Sequence, residues 1–74
     1  MPNITIAMYF DIIRDYHSKY FNANESMKQF FRERIQSNLD ALIDLQTILN
    51  DGYSPIHNNY ASVAKFMLKE VMVP

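Results

Sequence analysis

The 74-residue sequence contains no cysteine, no tryptophan, one glycine and only three prolines. Without cysteine there can be no disulfide framework and no thiolate zinc site. A reducing, cytoplasmic location is therefore expected. The prolines are at positions 2, 55 and 74 and the glycine is Gly52, so few residues interrupt regular structure between the ends of the chain.

The sequence also lacks an excess of charge of either sign and a long apolar run. Its formal net charge is −1 at pH 7, which gives no electrostatic attraction to nucleic acid or to an anionic membrane. No run approaches the roughly 18 apolar residues that a membrane-spanning helix needs. The first residues have no basic signal-peptide region. We therefore expect a protein that is neither membrane-bound nor exported.

Apolar residues make up 49% of the chain and aromatic residues 14%, which is typical of a folded domain. They recur at helical spacing in three segments, residues 3–21, 25–50 and 55–72. Short polar connections between amphipathic helices favour antiparallel neighbours. The sequence predicts one all-α domain over residues 1–74, a small antiparallel three-helix bundle with a long central helix.

Two polar residues, Arg34 and Asn38, fall in the middle of the apolar face predicted for the second helix. The apolar members of that face are Met27, Phe30, Phe31, Ile35, Ala41, Leu42, Leu45, Ile48 and Leu49. A buried arginine is costly unless an acidic partner meets it. Folding the third helix back about Gly52 places Glu70 opposite Arg34, which predicts a structural Arg34–Glu70 ion pair. Alternatively, Arg34 and Asn38 belong to an interface with a partner, where arginine is enriched.

The first helix carries more apolar surface than one neighbouring helix could cover. Contact with both other helices would use this surface, as a three-helix bundle requires. Alternatively, part of its aromatic flank stays exposed for a partner protein. Tyrosine suits such a surface because its ring is apolar and its hydroxyl can remain hydrated. The candidate partner-binding residues of this flank are Tyr9, Tyr16 and Tyr20.

The charges of the second helix suggest self-association. One row on this helix is symmetric in charge about its centre and consists of Lys28, Arg32, Gln36, Asp40 and Asp44. An antiparallel copy of the helix could place Arg32 against Asp40 of the other chain. A homodimer that uses Arg32 is therefore one hypothesis.

No arrangement of residues indicates catalysis or cofactor binding. There is no pair of carboxylates placed for acid–base chemistry, no nucleophile beside a base and no glycine-rich phosphate loop. His17 and His57 have no second ligand at helical spacing, which disfavours a metal site. We expect a non-enzymatic protein without cofactor or metal.

A helix-turn-helix DNA-binding regulator is the alternative function. The third helix would then read bases with Asn58, Asn59, Ser62 and Lys65. Only Lys65 and Lys69 are available there to hold phosphate, however, and the preceding helix is too long for the motif. Nucleic acid is therefore the less favoured partner.

The segment from Glu25 to Leu45, centred on Phe31-Arg32-Glu33-Arg34, resembles a helix in the theta subunit of bacterial DNA polymerase III. The resemblance covers less than a third of the chain and implies a small helical protein that binds another protein. The residues alone favour the same class, a helical protein-interaction module that acts as regulator, inhibitor or accessory subunit. Compact chains of this kind are common among phage and mobile-element products, which suggests that origin by analogy.

Overall fold

The computed structural model describes residues 6–48 and 55–72, the second range with its side chains from Asn59 onward. These residues form three helices, α1 (Ile6–Tyr20), α2 (Glu25–Ile48) and α3 (Pro55–Met72), and are 93% helical with no strand. The predicted all-α three-helix bundle with a long central helix is confirmed. The helix ends predicted at residues 3 and 50 and the turn at Gly52 lie outside the described residues.

Contacts between the helices give the bundle an up-down-up topology. Near the beginning of α1 and α3 the rings of Phe10 and Tyr60 lie 4.9 Å apart. Near the end of both helices the Tyr20 hydroxyl donates a hydrogen bond to the Val71 carbonyl at 3.1 Å. These contacts make α1 and α3 parallel to each other, with α2 antiparallel to both. None of the described helices is long and apolar enough to span a bilayer.

Asn24 caps the start of α2. Its side-chain Oδ1 accepts a hydrogen bond from the Met27 amide at 2.9 Å, and its carbonyl accepts one from the Lys28 amide at 2.8 Å. Asparagine is a preferred N-cap because its short side chain satisfies an amide that has no partner within the helix. This local signal explains why α2 begins at Glu25, a few residues after α1 ends.

The core follows a helical period on each element. On α1 the buried residues are seven apart: Ile6, Ile13 and Tyr20. On α2 they are Phe31, Ile35, Leu39 and Leu42, and on α3 they include Ala61, Ala64 and Val71. The buried face of α2 thus runs through Ile35 and Leu39, one position after Arg34 and Asn38. At about 100° per residue the mean direction of the four buried residues of α2 lies about 75° from that of Arg34 and Asn38, so the predicted centre of this face was wrong by that rotation.

Candidate interaction surface

Arg34 lies on the exposed side of α2 and not in the core. Its guanidinium carbon is 5.1 Å from the centroid of the Phe30 ring, within the range of a cation–π contact. Glu70 instead accepts a hydrogen bond from His17, with Nε2 and Oε1 2.9 Å apart. The predicted Arg34–Glu70 ion pair is therefore wrong, because the rotation of α2 leaves Arg34 in solvent and brings α1 beside Glu70.

Asn38 is satisfied within its own helix. Its side-chain amide donates a hydrogen bond to the Arg34 carbonyl at 2.8 Å, four residues earlier. Such local bonds let an asparagine stay half-buried in a helix without a tertiary partner. Among the described residues no polar or charged side chain is buried. Neither Arg34 nor Asn38 therefore requires a charged partner in the core.

Arg32 and Tyr20, both predicted as partner-binding residues, contact each other inside the bundle. The Arg32 guanidinium donates a hydrogen bond from Nη1 to the Tyr20 hydroxyl at 2.9 Å. The same hydroxyl donates to Val71, and only 8% of Tyr20 is exposed. One tyrosine thus joins all three helices, and Arg32 is its half-buried partner. This internal role makes Arg32 a poor centre for the predicted contact between two copies.

A row of exposed and half-buried apolar residues runs along one face of α1 and continues onto α2. On α1, Met8, Ile12 and Tyr16 are each four residues apart and so share one face. On α2, the Phe30 ring makes an edge contact with the Tyr16 ring at 6.3 Å, and Met27 lies one turn before it. We call these five residues the α1–α2 strip.

The exposed fractions within this strip are large for apolar side chains. They are 47% for Met8, 39% for Ile12, 42% for Met27 and 39% for Phe30. Arg34 borders the strip through its contact with Phe30, and the two residues share a shallow depression of about 270 Å³ with Glu33 and Ser37. Such an apolar patch with a charged rim is what a protein partner can bury.

The sequence analysis singled out some of the residues at this surface and not others. Tyr16 and Arg34, both predicted as interaction residues, lie in the strip or at its border, whereas Tyr9 packs against the core. Met8 was missed, although its spacing from Ile12 and Tyr16 is a readable signal. The exposure of Met27 and Phe30 was also missed, because they were assigned to the buried face.

A second and larger depression, of about 610 Å³, lies between α2 and α3. Its lining residues are Gln29, Arg32, Glu33, Gln36, Ser37, Asp40 and Met72. Here the Gln36 amide donates a hydrogen bond to Asp40 at 3.1 Å. Over residues 6–48 and 55–72 no group of three or more histidine, aspartate or glutamate side chains is placed to hold a metal ion. The lining contains both acidic and basic side chains, and they form no cluster of like charge or of catalytic groups.

The outward side of α3 carries the residues of the alternative DNA-binding hypothesis. Asn59, Ser62 and Lys65 are exposed, whereas the side chain of Asn58 lies outside the described residues. Met72, at the end of α3, lines a depression with the first half of α2, so α3 runs back along α2. A helix-turn-helix motif instead crosses its helices at about 90–120°.

Comparison of the chain with protein-family models, with curated proteins and with solved structures finds no match. The resemblance of residues 25–45 to the theta subunit therefore has no support from these comparisons.

Proposed function

We propose that this protein is a non-enzymatic helical interaction module, a regulator, inhibitor or accessory subunit, that binds a partner protein through the α1–α2 strip. The observation that carries this proposal is the continuity of the strip. Two rows of apolar side chains, joined by the contact between the half-buried Tyr16 and the exposed Phe30, lie at the surface beside one arginine. Contiguous apolar surface with a polar rim is a general property of protein-binding sites.

The residue types of the strip suit this role. Methionine adapts its shape to different surfaces, and aromatic and arginine side chains contribute most to binding energy at interfaces. The contact with the Phe30 ring holds the Arg34 side chain against the strip before a partner arrives. A bound partner would therefore present apolar side chains to the strip and an acidic group to Arg34.

A photo-crosslinking experiment tests this surface. Because the chain has no cysteine, Phe30→Cys creates a single site for a maleimide-linked benzophenone. Irradiation in an extract of the source cells should yield a defined crosslinked protein species. The matched control is Phe66→Cys, since Phe66 is also an exposed aromatic, with 59% of its surface free, but lies on α3 away from the strip.

The label at position 66 should give no defined species. Equal crosslinking from both positions would show non-specific contact, and the absence of a product from position 30 would contradict the proposal.

DNA binding should be weak in comparison. We expect the protein to bind mixed-sequence DNA no more tightly than the non-specific range of about 10⁻⁴–10⁻⁶ M at physiological salt. The reason is the small number of cations on α3, where Lys65 and Lys69 are the basic residues available to hold phosphate. Fluorescence anisotropy over a salt titration measures this. A tighter, steeply salt-dependent complex that Lys65→Gln weakens would instead support the helix-turn-helix alternative.

A further inference from the structure

We infer that the partner of this surface is a second copy of the same chain, bound through an antiparallel contact between the two α2 helices. This inference rests on the proposed function, since it names the partner for the α2 half of the α1–α2 strip. The contact uses a second face of α2, distinct from its buried face. Its members, which we call the outer seam, are Met27, Phe30, Arg34, Ser37, Ala41, Asp44 and Ile48.

The spacing of the outer seam is that of a helix–helix contact. Successive members are three and four residues apart in strict alternation from residue 27 to residue 48. A repeat of this kind, averaging about 3.5 residues, keeps one face of a helix against a partner helix along its whole length. Six of the seven members are exposed, Ala41 is half-buried, and Ile48 is 77% exposed. At one end of the seam Tyr16 of α1 makes an edge contact with the Phe30 ring, and the exposed fractions leave most of the seam uncovered.

The order of residues along the seam fits a twofold axis. Apolar residues lie at its two ends, Met27 and Phe30 at one and Ile48 at the other, and the small Ser37 and Ala41 lie between them. An axis level with residue 39 places Phe30 of one copy opposite Ile48 of the other, because both lie nine residues from it. It also places Ser37 opposite Ala41, so small residues meet in the middle, where two helices must approach most closely. A self-complementary patch is what a twofold dimer requires.

The two charged members of the seam complement each other across the same axis. Arg34 falls opposite Asp44 of the second copy, because both lie five residues from the axis. Within the described part of the chain neither Arg34 nor Asp44 forms an ion pair. The twofold axis would create two equivalent Arg34–Asp44 pairs, and such pairs set the register and direction of a helix–helix contact.

Sedimentation velocity over a wide concentration range tests the dimer. The unmodified protein should show a reversible monomer–dimer equilibrium. Arg34→Asp should raise the dissociation constant by about tenfold or more, because it places two acidic groups opposite each other at both symmetric positions. Adding Asp44→Arg in the same chain should restore the dimer. Arg34 and Asp44 are both exposed, and circular dichroism checks that the helical content of each variant is unchanged.

Arg14→Asp is the matched control. It makes the same change of charge at an exposed α1 residue that pairs with Asp11 at 3.4 Å, outside the seam. The dimer should survive this change. Dimerisation that Arg34→Asp and Arg14→Asp weaken equally, or that Asp44→Arg does not restore, would overturn the outer-seam contact.

A protein that stays monomeric at every concentration would also overturn the inference. In that case, the crosslinking result from position 30 shows whether the proposed function also fails. A crosslink to a different protein would keep the interaction module and remove only the second copy as its partner. No crosslink together with a monomer would contradict both.

Discussion

Replacing Ile35 with alanine should lower the free energy of unfolding by about 2–5 kcal/mol. Ile35 is 0% exposed and lies on the central helix, where it faces the core shared with α1 and α3. Its truncation removes apolar contacts and leaves a cavity that three packed helices cannot close. Because a 74-residue domain is near the lower size limit for an unaided core, this loss is a large part of its total stability. Urea denaturation followed by circular dichroism measures it.

Ile12→Ala is the matched control for this change. It removes the same atoms from a side chain that is 39% exposed and lies outside the core. The expected cost is lower, about 1 kcal/mol, since 39% of the residue already contacts water and its truncation leaves no enclosed cavity. Measuring both variants at dilute protein concentration separates folding from self-association. Equal losses for Ile12→Ala and Ile35→Ala would contradict the placement of the core.

The second large effect is expected from Tyr20→Phe, which should destabilise the bundle by about 1–3 kcal/mol. The change keeps the ring but removes the hydroxyl that accepts from Arg32 at 2.9 Å and donates to Val71 at 3.1 Å. A carbonyl on α3 and a half-buried guanidinium on α2 then lose their partner together. The measurement is again the free energy of unfolding from urea titration.

Tyr16→Phe controls for the loss of a hydroxyl in general. Tyr16 packs its ring against Phe31 at 5.7 Å, and within the described residues its hydroxyl forms no hydrogen bond. This variant should therefore be nearly neutral. A double-mutant cycle that combines Tyr20→Phe with Arg32→Gln should cost less than the sum of the two single changes, because both remove the same bond. Strict additivity would show that the hydrogen bond between Arg32 and Tyr20 contributes nothing.

Much of the fold could be predicted from residues that are close together in the sequence. The helical spacing of apolar residues located all three helices, and the polar segment after residue 21 separated the first two. Helix formation depends on bonds between residues four apart and on caps such as Asn24, so local sequence contains the necessary information. The same spacing rule picks out the residues of the outer seam of α2. Only the structure shows that six of its seven members are exposed.

The rotation of α2 could not be predicted in this way. Apolar residues cover more than half of its circumference, so two neighbouring rotations bury similar numbers of apolar side chains. The rotation that forms places Leu39, 3% exposed, in the core and leaves Phe30 and Arg34 outside. Its selection depends on how the side chains of α1 and α3 interdigitate with α2, and no single helix contains that information.

The chain by itself thus determined its helices, their number and their antiparallel order, since short connections and local hydrogen bonds leave few alternatives. Only the tertiary structure decided which polar groups meet: Glu70 with His17, and Arg32 with Tyr20. Each of these contacts joins residues on different helices, so it depends on a rotation and a register that packing sets. The exposure of Arg34 follows from the same packing, because the core that excludes it is built by all three helices together.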